Sequence, residues 1–161
     1  MIKAPSRGIV LGGFVLGIVF EILPLPQLLQ PFRPYLLAML LFYWAIEAPQ
    51  MVGVGTAFVL GLLADLASAS LLGEQALRLV LIVSLVQRFR ARLRFFPLWQ
   101  QAVAVGMLLF VDRVAVALLH LVLGLPQMPA INLFAPVVAI FLWPWLYVLI
   151  DLARLRARER S

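Results

Sequence analysis

"GLLADLASASLLGEQAL", residues 61–77, places one aspartate, Asp65, inside an apolar run that meets no lysine or arginine before Arg78. The run is long enough to form a helix through hydrocarbon, where a charge costs several kcal/mol, roughly 3 on insertion scales. Such a carboxyl group must face other protein and find a partner there. The rest of the chain supports that setting: 65% of the 161 residues are hydrophobic and only 12% charged, against about 25% charged in soluble domains. The sequence reads as an integral membrane protein of one domain. At about 20 residues per span it has room for roughly five to seven transmembrane helices, and no polar stretch is long enough for a soluble domain.

Outward from residues 61–77, apolar segments predict six spans within a single membrane domain 1–161, at about 8–28, 35–48, 51–72, 76–89, 102–123 and 132–151. The first follows Lys3 and Arg7 and reads as a signal anchor, since it exceeds a cleavable core and no A-x-A site ends it. The second and fourth, about 14 residues each, fall below the usual minimum of about 17. In the second, Tyr43 and Trp44 belong at an interface or pack inward. The third and fourth make a tight antiparallel hairpin, and "QRFRARLRFFPLWQQ" reads as a basic loop after it. Prolines in "GLPQMPAIN" end the fifth span, and Pro144, between Trp143 and Trp145, is expected to kink the sixth.

Thirteen Lys and Arg face seven Asp and Glu, for a net charge of +6. Under the six-span scheme Lys3, Arg7, Arg88, Arg90, Arg92, Arg94, Arg154, Arg156, Arg158 and Arg160 fall on one face. Arg33 and Arg78 fall near the other, and Arg113 lies in the membrane. That is the positive-inside pattern with both termini cytoplasmic. The arginines at 88–94 therefore serve as a topology determinant, or bind lipid head groups or a cytoplasmic partner. Nothing in this charge pattern calls for nucleic acid.

Gly53, Ala57, Gly61 and Asp65 form a ridge of small residues at four-residue spacing leading to the carboxylate, and Gly8 with Gly12 and Gly13 with Gly17 repeat the device in the first span. Small residues let helix backbones approach, within this chain or against a partner. Glu21, Asp65 and Arg113 lie at similar depth, so the expected pairing is Asp65 or Glu21 with Arg113. Asp112 is set aside as a partner for Arg113, because adjacent residues point about 100° apart on a helix. These charges either fix which helix packs on which or line a path for a ligand, ion or proton. His120 is expected to be a hydrogen-bonded interfacial residue. The chain has no cysteine, and no second histidine, so neither disulfides nor a metal site is expected. There is no H-E-x-x-H, phosphate loop, nucleophile with adjacent base or G-x-G-D-like aspartate pair. No catalytic residue and no cofactor are assigned.

Taken in order, Arg33-Pro34, Tyr43-Trp44, Pro49, Gly53, Gly55, "GLLAD" at 61–65, "LLGEQAL" at 71–77 with Gly73, and "FPLWQQ" at 96–101 resemble the rod shape-determining MreD family in its proteobacterial form, over roughly residues 10–155. One departure is Tyr35, where the family pattern often has an acidic residue. The resemblance implies an all-α polytopic protein of the bacterial cytoplasmic (inner) membrane, a six-transmembrane-helix bundle similar to the substrate-binding component of energy-coupling-factor transporters. It also implies a non-catalytic role in cell elongation beside an MreC-like periplasmic scaffold protein, a class B penicillin-binding transpeptidase and a RodA-type glycosyltransferase, with the MreB filament reached indirectly. Membrane lipids are the remaining expected partners. The rival readings are a vitamin-type substrate-binding transporter component, with Glu21, Asp65 and Arg113 lining its pocket, and a membrane-embedded enzyme.

Overall fold

The computed structural model describes residues 7–69, 71–127 and 130–159, apart from the side chains at 31, 130, 131, 158 and 159. Lys3 and Arg160, counted above in the basic face, and Ser70 lie outside the described residues. Among those described there are six α-helices, two short 3₁₀ turns at Gln30–Phe32 and Ala130–Phe134, and no strand. The helices are α1 (Arg7–Ile22), α2 (Leu36–Glu47), α3 (Val54–Ser68), α4 (Glu74–Leu93), α5 (Leu98–Leu123) and α6 (Ala135–Glu159).

Each of the six apolar segments contains one helix, but the ends differ from the hydropathy reading. α1 stops at Ile22, short of residue 28, because Pro24 and Pro26 cannot continue it. α4 runs on to Leu93, so Arg88, Arg90 and Arg92 are helical and Arg94 caps the helix. The expected basic loop is thus the last turns of α4. Arginine is a good helix former, and cations there oppose the negative end of the helix dipole. α5 ends on Gly124, whose φ of +66° suits glycine. α6 continues through Pro144 without a break.

α2 is the centre of the bundle. Every position from Leu37 to Ile46 is buried, so Tyr43 and Trp44 pack inward. A helix with apolar residues all round and little amphipathicity is one surrounded by protein. α3 and α4 pack as a hairpin that meets it through α4, α1 covers it from another side and also touches α3, and α5 and α6 pack mainly on each other. Trp143 of α6 sets its ring edge-on to Phe42 with centroids 5.1 Å apart, and Tyr147 does the same to Tyr43 at 5.2 Å.

The outward faces are apolar too. Leu16, Leu66, Met107, Val122, Phe141 and Trp145 are each at least 66% exposed, an arrangement that lipid accommodates and water does not. α5 and the stretch Asn132–Ala157 are long and apolar enough to cross a bilayer by length and composition. α2 and α3, of 12 and 15 residues, extend only about 18 and 22 Å at 1.5 Å per residue.

The small residues differ sharply in what they permit. A Cβ at Gly61 would lie 2.5 Å from the backbone nitrogen of Ala76 and 2.9 Å from the carbonyl carbon of Gln75, so α3 and α4 touch backbone to backbone there. At Gly17 it would meet Leu40 and Leu37 at 3.0 and 3.2 Å. Ala57 is fully buried, and Gly53 and Gly13 have only ordinary neighbours at 3.8 Å. Gly12 faces open space. Gly106, which spacing did not single out, packs against the side chain of Ile140. Gly61→Ala is therefore expected to cost about 1–3 kcal/mol or more, as overpacking against rigid backbone does, while Gly12→Ala leaves stability unchanged. Thermal unfolding of both variants in detergent, followed by size-exclusion of the surviving fraction, checks this.

Candidate functional site

In the half of the bundle where α3 ends and α4 begins, a chain of buried and half-buried polar side chains crosses four helices, with Ser68 at its exposed edge. It starts from a backbone problem. The first amides of α4 have no partner within the helix, and wherever they are buried in an apolar bundle they need an acceptor from the protein. Asp65, 1% exposed, supplies the acceptors: Gly73 N donates to Oδ2 at 2.7 Å and Gln75 N to Oδ1 at 2.9 Å. The negative carboxylate also sits at the positive end of the α4 dipole. Gly73 takes φ +97° to aim its amide, a conformation that a residue with a Cβ resists.

From Gln75 the chain continues. Its side-chain amide donates to Ser68 Oγ at 3.1 Å, and its carbonyl accepts from the Tyr35 hydroxyl at 2.6 Å. The Tyr35 ring in turn lies 4.5 Å from the Arg78 guanidinium carbon, within cation–π range. Arg78 donates through Nε and Nη2 to both oxygens of Asp112, at 2.9 and 2.6 Å. This two-pronged pair joins α4 to α5 in the interior, with side-chain exposures of 12% and 4%.

These contacts revise the expected pairing. Arg113 forms no ion pair with Asp65 or Glu21 among the described residues. In this half of the bundle Asp112 takes an arginine, and that arginine is Arg78. Arg78 belonged near the outer face on the hydropathy reading, yet it is buried because α4 begins at Glu74 and turns it toward α5. A signal was present: helical spacing puts Gln75 and Arg78 on one face of α4. Tyr35 fits the same picture, offering an aromatic face where an acidic residue was expected.

A second polar group closes the opposite end of α2. Arg90 Nε donates to the carbonyl of Ile46 at 2.8 Å. Arg154 Nη1 donates to Tyr43 Oη at 2.8 Å and Glu47 Oε2 at 3.1 Å. Gln101 Nε2 similarly donates to the carbonyls of Leu93 and Phe96, at 3.1 and 3.3 Å, capping α4 from α5. Among the remaining motif residues, Trp44 sets its ring edge-on to Tyr43. Arg33 places its guanidinium 5.3 Å from the Phe20 ring, Pro34 precedes α2, and Pro49 lies in the turn after it. His120 Nδ1 lies 3.0 Å from the Pro126 carbonyl oxygen, and Nε2 lies 3.6 Å from Glu74.

The arrangement holds charge without presenting it. Among the described residues no group of three or more His, Cys, Asp or Glu could hold a metal ion. An all-helical bundle with apolar faces inside and out, whose buried charges are bonded within the chain, defines a membrane protein of structural character. Residues 7–153 match the family model of the rod shape-determining protein MreD. The chain is 30% identical over 149 residues to the rod shape-determining protein MreD of Haemophilus influenzae, covering 92% of each. The chain belongs to the MreD family, a family of shape-determining proteins and not a known family of enzymes. No solved structure matches it. The transporter reading gains no support from these matches.

Breaking the Arg78–Asp112 pair from one side leaves a buried charge alone, at a cost of about 3–5 kcal/mol. Arg78→Met and Asp112→Leu should each lower the amount of folded protein in membranes. The double variant should recover most of the loss, because replacing both partners removes the stranded charge. Immunoblots of membrane fractions and thermal unfolding of the purified variants give the comparison.

Proposed function

We propose that this chain is a non-catalytic six-span subunit of the bacterial cell-elongation machinery, with both termini in the cytoplasm and its place in the inner membrane. It binds an MreC-like scaffold protein and, beside it, a class B transpeptidase and a RodA-type glycosyltransferase, and the MreB filament is reached through them. The observation that carries this reading is family membership over nearly the whole chain. The geometry agrees with it. The strongest polar groups, Asp65, Arg78, Asp112 and Arg154, are engaged inside the bundle, so what remains for partners is apolar helix surface and the basic end of α4.

The six-span count is supported by lipid-like outer faces on helices beyond the two longest. It also has an answer to the short α2. A helix of about 18 Å cannot reach both surfaces of a hydrocarbon core of about 30 Å, but α2 is enclosed by protein, with its Ile46 carbonyl met by Arg90 and its Tyr43 and Glu47 side chains by Arg154. Glu21, Asp65, Asp112 and Arg113 then serve packing specificity. The residues expected to hold partners are the exposed ones of α1, including the Gly12 face.

Photo-crosslinking residues introduced at Leu11, Leu16 and Gly12 are expected to capture an MreC-like membrane protein in cells that need this chain for rod shape. The purified chain should turn over no lipid or peptide substrate. A reporter fused to the C-terminus should be active in the cytoplasm. Capture of no elongation protein from any exposed helix face, or a tail found outside the cell, would falsify the reading.

A further inference from the structure

α4 and α5 are consecutive and joined by only four residues, 94–97, yet they lie apart over most of their length. They are pinned near one end by Gln101 on the carbonyls of Leu93 and Phe96, and in the other half by Arg78 on Asp112. Among the described residues no hydrogen bond joins the two helices between these pins, a stretch of 15 residues of α4 or about 22 Å. Two cavities lie end to end in that stretch, of about 390 and 480 Å³, sharing Leu85, Leu108 and Val111. The first reaches inward to Phe42 of the central helix and ends on Arg92; the second runs past the Arg78–Asp112 pair to Glu74 and Val122.

The slot exists because of how the two helices divide their faces. α4 spends buried residues such as Leu79 and Val83 on the interior, while α5 uses Gly106 to pack on Ile140 of α6. What remains between them is large and apolar. Walls of Leu, Phe and Met suit a flexible chain better than a second helix, since helices associate in membranes through small residues that bring backbones close. Each volume lies in the range that encloses a small ligand, about 300–1,000 Å³.

Charge decides which lipid. Arg92 is exposed and lines the slot, and it forms no ion pair among the described residues. Arg88 lies one turn before it, Arg94 follows, and no acidic residue occurs between Glu74 and Asp112. The entrance is thus cationic without a counter-charge, and a cation near a membrane surface attracts anionic lipid by about 1 kcal/mol.

We propose that the α4–α5 slot binds one anionic phospholipid, with an acyl chain between Leu85 and Leu108 and its phosphate on Arg92. Under the topology proposed above this lipid comes from the cytoplasmic leaflet, but the site itself does not depend on which partners the protein binds. The bound chain fills the gap that the two pins hold open.

The test is native mass spectrometry of the full chain released from nanodiscs of equimolar phosphatidylglycerol and phosphatidylcholine. Phosphatidylglycerol should be retained in preference. Arg92→Gln should cut that preference about fivefold without changing the melting temperature. Leu108→Trp, or Ala104→Leu if the first fails to fold, should displace lipid of both kinds by filling the slot. Equal retention of the two lipids, or retention unaffected by a folded slot-filling variant, overturns the proposal. So does a photo-crosslinker at Leu108 that captures a polypeptide and no lipid. None of these outcomes bears on whether MreC-like partners bind α1, so the two readings fail separately.

Discussion

The carboxylate of Asp65 accepts the amides of Gly73 and Gln75, and much of the bundle's order follows from that pair of hydrogen bonds. In hydrocarbon the start of a helix cannot borrow water for its free amides. Here the preceding helix supplies the acceptor, which requires α3 and α4 to come very close. Gly61 allows it by placing no Cβ against Ala76, and Gly73 turns the chain with a positive φ so that the amide points back. One acid and two glycines thus define the hairpin. Once Gln75 is held by its amide, its side chain is committed to Ser68 and Tyr35, and Arg78, one turn on, faces Asp112.

The same rule governs the other end of the bundle with the charges reversed. α2 is enclosed on all sides, so its last carbonyls are as isolated as the first amides of α4. Arg90 of α4 meets the Ile46 carbonyl, and Arg154 of α6 meets the neighbouring Tyr43 hydroxyl and Glu47 carboxylate. Arginine suits this duty because its charge persists when buried and its fork reaches several acceptors at once. These contacts fix the neighbours of α2 at one end, while Tyr35 fixes them at the other. The enclosed helix is therefore located by its ends, while Leu37, Met39 and Leu41 fill the space between.

Composition and apolar runs were enough to make the protein an α-helical membrane protein and to place one helix in each segment, though the ends of α1 and α6 differ by six and eight residues, because hydrocarbon imposes a simple demand on side chains. That Asp65 must be satisfied internally was also legible. Its partner was not, because a carboxylate in a sequence points to an opposite charge, whereas the donors here are backbone amides 8 and 10 residues on. Periodicity shows which residues share a face of one helix but not which other helix that face meets, so Arg78–Asp112 stayed hidden although both residues were in view. The arginines of 88–94 looked like a loop because charge interrupted the apolar pattern, yet charge interrupts only the membrane, not the helix. Gly61 and Gly12 are indistinguishable by spacing; one is pressed against a backbone and the other faces outward.

The Arg78–Asp112 pair does not earn its place through stability, since a buried ion pair often contributes less than well-packed apolar residues of the same volume. Its position suggests what it does contribute. α5 and α6 pack chiefly on each other, and the rest of the bundle is organised around α2 and the α3–α4 hairpin, so the α4–α5 boundary divides the molecule. An apolar boundary with a slot in it could slide by a turn at little cost. A two-pronged arginine–carboxylate contact cannot, because a shift of one helical turn, about 5.4 Å, strands both charges. With Gln101 holding the other end, the two parts keep one register, and the outer faces of α1, α5 and α6 keep a constant arrangement for whatever binds them.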